Sequence, residues 1–171
     1  MSWTDFHRRR EICDEVIRQA ARDPRARLPF AEIPGAREYF RDEEELLLAL
    51  HYRWAQVLSG HLRTELTELG GDTDRVDAAT RAWRKAVARH TTLREVLDAN
   101  LARHPALRAR HEAELRMLAV AAGLAGPAEP ADEVTKIGAA FAALLRHAPA
   151  LEPAKPRNRV SALLRMLVPS A

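Results

Sequence analysis

Two histidines and two tryptophans come nearest, by type and spacing, to a binding site. His51 falls beside Leu47, Trp54 and Leu58, and His111 falls between Leu107 and Leu115. Each histidine therefore sits at or beside an apolar helical stripe. Together with Trp54 and Trp83 they offer aromatic walls and polar tips, the ingredients of a small-molecule pocket between helices. The competing reading makes each one a hydrogen-bonded residue at the core boundary. His61 and Glu65, four apart, share a helix face and have the spacing of helical carboxylate–histidine metal sites. Such sites take ligands from several helices, so the pair is read as a surface pair and no metal is assigned. Cys13 is the single cysteine, which excludes an internal disulfide and a CxxC metal site. It is expected as a small buried hydrophobe. Nothing resembles a nucleophile elbow, a phosphate loop or a paired-carboxylate site. The expectation is that the protein is not an enzyme and uses no cofactor.

Composition narrows the class. With 171 residues, 47% of them hydrophobic and 30% charged, the chain is long enough to bury a core of one domain. The net charge of +3 is too small to imply nucleic acid by itself. It divides as +2 over residues 1–41, −3 over 42–100 and +4 over 101–171, so neither end is a basic arm. The N-terminus lacks the apolar stretch of a secretory signal, and no run approaches the roughly 20 apolar residues of a spanning helix. A cytoplasmic protein without a membrane span is expected.

The elements that must position these residues are helices throughout. Phe6, Ile12, Val16, Ile17 and Ala20 recur at helical spacing from residue 4 or 5 to about 21. Pro24, Pro29 and Pro34-Gly35 then leave room for only one or two turns at a time. A long helix is predicted over 43–69 from Leu47, Leu50, Trp54, Leu58, Leu62, Leu66 and Leu69, ended by Gly70-Gly71. Asp42 and Glu45 form a capping box at its start, and the acids at 43–45 suit the positive end of its dipole. Asp72 or Thr73 caps a following helix through Val76, Ala79 and Trp83. Thr92 and Glu95 form another capping box, and Pro105 opens a helix through Leu107, His111, Leu115, Leu118 and Ala122. Pro130 starts a helix with Val134, Ile137, Phe141 and Leu144. After a linker at 149–156, a short amphipathic helix is expected over 158–168. No segment alternates with period two. The fold expected is all-α.

The first helix, R-R-E-I-C-D-E-V-I-R-Q-A-A, and the join Y-F-R-D-E-E-E-L-L-L-A-L at residues 39–50 resemble the TetR family of transcriptional regulators. A-W-R at 82–84 and A-A-G-L-A at 121–125 are similar to its variable C-terminal domain. The resemblance implies a TetR-like bundle of about seven to nine helices. Residues 1–41 would form an abbreviated helix-turn-helix-like region, 42–148 a ligand-binding and dimerisation body, and 149–171 the linker and last helix. The small side chains of A-V-A-A-G-L-A-G and I-G-A-A-F-A-A-L-L fit either tight packing within the chain or a homodimer interface around Leu118, Ala122, Ile137, Phe141 and Leu144, and candidate partners are DNA, a small molecule or another protein. Only Pro34-Gly35-Ala36-Arg37-Glu38 separates Ile33 from Tyr39, about one turn at roughly 3.6 residues per turn, where a reader needs a turn and a second helix. Two readings stay open. One is a regulator that touches DNA with Arg25, Arg27, Arg37 and Arg41. The other is a binding module that has lost sequence-specific readout.

Overall fold

A computed structural model describes residues 3–68, 75–126 and 128–147. Seven α-helices and no strand occur among these residues: α1 (Trp3–Ala20), α2 (Ala36–Tyr39), α3 (Glu43–Thr67), α4 (Arg75–Arg89), α5 (Thr91–Asn100), α6 (Pro105–Ala121) and α7 (Ala131–His147). The expected Gly70-Gly71 terminator, the cap at 72 or 73, the linker at 149–156 and the helix over 158–168 lie outside the described residues. No helix among the described residues is long and apolar enough to cross a membrane.

Helix α3 is the axis of the molecule and packs on α1, α4, α5 and α6. Its apolar spacing decides this: Leu46, Leu47, Leu50, Trp54 and Leu58 are fully buried, one or two per turn down its length. Each such side chain contributes on the order of 1.5–3 kcal/mol when withdrawn from water. The core is continuous, from Ile12 and Val16 of α1 through α3 to Phe141 and Leu145 of α7.

Three consecutive acids begin α3, and each has a different partner. The Asp42 side chain accepts from the Glu45 backbone N–H at 2.8 Å, as an N-cap does. Glu45 reaches back to the Arg41 N–H at 2.9 Å, one residue before the cap, and also binds Arg9 at 2.8 Å. Glu44 accepts from the Ala106 N–H at 2.9 Å and so caps α6, whose own cap residue, His104, makes no side-chain capping bond. Glu43 lies 3.7 Å from His104. The acidic run thus joins the starts of two helices as well as suiting one dipole.

The Tyr39-Phe40 join is held from α1. Arg9 donates to the Tyr39 carbonyl at 2.6 Å and stacks 4.1 Å from the centre of the buried Phe40 ring. Between α1 and α3 the only helix is the single turn α2, preceded by turns from Ala21 to Gly35. Gly35 has φ +80°, a conformation glycine takes without strain, and it lets the chain reverse into α2. One start signal was misread. Helix α4 runs to Arg89, so α5 begins at Thr91 with His90 as its cap residue, and Thr92 is already inside the helix. The Thr91 hydroxyl instead donates back to the Val87 carbonyl at 2.9 Å.

Candidate functional site

Beneath the contact of α3 with α5 and α6 lies a buried polar network. Its centre is Glu114, which falls on the inward stripe of α6 between Leu107 and Leu118 and has a side chain only 3% exposed. Arg94 of α5, 7% exposed, donates from Nη1 to Glu114 Oε1 at 2.7 Å. Its Nε donates to Asp98 Oδ2 at 3.1 Å, and its Nη2 binds the other oxygen of the same carboxylate. Asp98, one turn further along α5, thus grips the guanidinium as a fork. The guanidinium carbon lies 5.2 Å from the centre of the Trp54 ring.

Glu114 Oε2 faces two imidazoles. His51 Nε2 of α3 is 3.2 Å away and His111 Nδ1 of α6 is 3.9 Å away. At 3.9 Å His111 is beyond hydrogen-bond reach and the His51 contact is poorly aligned, so His51 Nε2, His111 Nδ1 and Glu114 Oε2 complete no well-formed hydrogen bond, nor does Trp54 Nε1. Buried polar atoms are otherwise almost always paired, so this group of open positions is unusual. Burial pushes the Glu114 carboxyl upward. His111, His51 and the Arg94 guanidinium outweigh that effect and hold it well below the usual carboxylate range. Burial likewise works against the charge on Arg94, and Asp98 and Glu114 more than offset it.

The network opens outward. A groove of about 480 Å³ runs between α3 and α6, lined by Leu48, His51, Tyr52 and Ala55 on one side and Arg110, Ala113, Glu114 and Met117 on the other. Each set has the spacing i, i+3, i+4, i+7, so the groove is one face of each helix. Its walls are mostly apolar, and His51 and Glu114 are among its lining residues, with His51 Nε2 and Glu114 Oε2 themselves buried behind it. A second groove of about 480 Å³ lies where the chain leaves α1, among Arg18, Gln19, Arg22, Asp23, Arg27, Leu28 and Glu32.

Of the four proposed pocket residues, His51, Trp54 and His111 come together around Arg94 and Glu114. Trp83 sits in the apolar core on α4, and of the four only His51 lines the groove. Reading the sequence missed Arg94, Asp98 and Glu114. A signal for Glu114 existed, because a carboxylate at the spacing of Leu107, His111 and Leu118 breaks an apolar stripe. Arg25, Arg27, Arg37 and Arg41 are all exposed, with Arg41 Nε paired to Asp42 at 2.9 Å. Leu118, Ala122 and Phe141 are buried within the single chain, Ile137 is half-buried and Leu144 is 67% exposed. Glu65, considered with His61, binds Arg81 at 2.8 Å and also Lys85, tying α3 to α4. No group of metal-ligating side chains occurs among the described residues. Cys13 is buried, and burial pushes its thiol up to about 11, so it is an inert packing residue at neutral pH.

No protein-family model matches the chain, and no curated protein or solved structure matches it.

Proposed function

We propose that this chain is a non-enzymatic helical binding module on a TetR-like frame, which takes a small ligand into the α3–α6 groove. One observation carries the reading. Two polar side chains at least nine-tenths buried, His51 and Glu114, are among the residues that line a mostly apolar groove. Apolar walls with a few convergent polar groups are what small-molecule sites are made of. The test is a thermal-shift screen on the full chain and on Ala113→Trp, which fills the groove from its exposed side. Compounds that raise the Tm of the first and not of the second support the reading. Compounds that stabilise both equally contradict it.

The proposal includes a regulatory ancestry without a sequence-specific DNA reader. Its support is the single-turn α2, since helix-turn-helix docking needs two crossed helices. Four exposed arginines in and beside this region favour the rival reading, a regulator with a shortened reader. Retention on the chain's own upstream DNA, beating random competitor and falling steeply with salt, would establish that rival. Equal or absent binding to both DNAs supports the module. A homodimer is also part of the proposal, with Leu144 and Ile137 on the outer side of α7. Light scattering that gives a monomer at micromolar concentration would remove it.

A further inference from the structure

We propose that the α3–α6 groove takes a small amphipathic anion, a carboxylate on a slender apolar chain, whose head is held at the lips by the Arg110 guanidinium and the Tyr52 hydroxyl. This rests on the groove being a ligand site and adds the charge, shape and orientation of the ligand.

The residues that line the groove fall into three groups. Leu48, Ala55, Ala113 and Met117 are apolar. His51 and Glu114 are buried, and their facing atoms, His51 Nε2 and Glu114 Oε2, lie 3.2 Å apart and out of reach of solvent. Tyr52 of α3 and Arg110 of α6 are exposed on opposite lips, and neither has a hydrogen-bond or ion-pair partner among the described residues. The polar capacity offered to a ligand is therefore a guanidinium, which only donates, and a phenol, which can donate.

Each ligand class meets these lips differently. An ammonium group would meet the like charge of Arg110, while the one lining carboxylate, Glu114, is buried and held by Arg94. Glu44, which reaches α6 one turn before Arg110, is engaged by the Ala106 N–H. A neutral apolar molecule would fill the walls and leave both donors to water. A carboxylate matches the guanidinium fork with two parallel charge-assisted bonds and can accept from the phenol as well. The helices also set the direction of the chain behind that head. Glu44 bonds α6 at Ala106 and the Ser59 hydroxyl donates to Met117 Sδ at 3.7 Å, so α3 and α6 run the same way. Leu48 and Arg110 therefore share one end of the groove. Arg110 and Met117 are two turns apart, about 10 Å at 1.5 Å per residue. An apolar chain of that length, with its carboxylate at Arg110, lies along Leu48, Ala113 and Ala55 and ends at Met117, whose unbranched thioether adapts to it.

The experiment is isothermal titration of the full chain at neutral pH with three probes of one chain length: octanoate, octanol and octylammonium. Octanoate is expected to bind about fivefold tighter than octanol, the worth of a solvent-exposed ion pair, and octylammonium to bind weakest. Arg110→Gln should bring octanoate down to the affinity of octanol, and Arg110→Glu should place octylammonium above octanoate. Both changes fall on an exposed side chain without partners, so the order should change while the Tm of the free protein does not. Tyr52→Phe should weaken octanoate about twofold and leave octanol as it was. Ala113→Trp should abolish binding of all three. Equal or tighter binding of octanol or octylammonium, removed by Ala113→Trp, overturns the anion assignment and leaves the groove a ligand site. A preference for octanoate that survives Arg110→Gln does the same. Absence of binding by every probe, or binding indifferent to Ala113→Trp, overturns both.

Discussion

Against α7, helix α6 comes so close at Leu115 that a Cβ on Gly138 would stand 2.1 Å from the Leu115 carbonyl oxygen. Toward α3 the same helix presents His111 and Glu114, with open polar atoms and a groove between the backbones. One side is closed by small and apolar residues in direct contact. The other is held apart by a charged network that satisfies most of its members but not all. A purely structural helix has no use for the second arrangement, because well-packed apolar residues of similar volume are often as stable as a buried ion pair or more so. The contrast sets a closed seam against a grooved side, and the proposed binding site lies on the grooved one.

The largest expected effect comes from breaking the network. Arg94→Met removes the only buried guanidinium among the described residues, the partner of Glu114 Oε1. It should cost about 3–5 kcal/mol in denaturant melts. A loss below about 1 kcal/mol would show that the network is solvated and that the two sides of α6 differ less than proposed. Next is the seam. Gly138→Ala gains helix propensity but drives a methyl into backbone that cannot yield locally, and about 1–3 kcal/mol of destabilisation is expected. Unchanged or raised stability would mean that α7 shifts freely and is not a fixed scaffold.

Glu114→Gln sharpens the comparison through pH. The folded carboxyl titrates below its ordinary value of 4.5, so its contribution is full above that value. It is lost progressively as pH falls from there through the folded value. The variant should therefore be about 1–2 kcal/mol less stable than the parent at pH 7 and approach it on acidification. Curves that stay parallel from pH 7 to pH 3 would contradict the pairing. The smallest effect lies away from both sides of α6. Asp42→Ala removes one capping bond of α3 and should cost about 1 kcal/mol without altering groove binding.

Much of this frame was legible in the sequence, because long helices with regular apolar spacing declare themselves. Leu47, Leu50, Trp54 and Leu58 placed α3, and Asp42 with Glu45 marked its first residue. Pro105 marked the start of α6. Where the signal is local, Thr92 with Glu95 imitates a capping box, because a one-residue join at His90 has no signature of its own. The site was half legible. His51 and His111 stood out against apolar stripes. Arg94, Asp98 and Glu114 did not, since charged residues on helices are common and their convergence depends on how α5 and α6 turn on α3. Trp83 shows the opposite error, a large aromatic whose place is simply the core.

The most direct test of groove binding is amide chemical-shift mapping by NMR as a compound that raises the Tm of the full chain but not of Ala113→Trp is titrated in. The account predicts saturable shifts centred on Leu48, His51, Ala55, Ala113, Glu114 and Met117, with the groove near Arg18, Arg22 and Arg27 unmoved. Shifts centred on that second groove, or scattered without saturation, would contradict it.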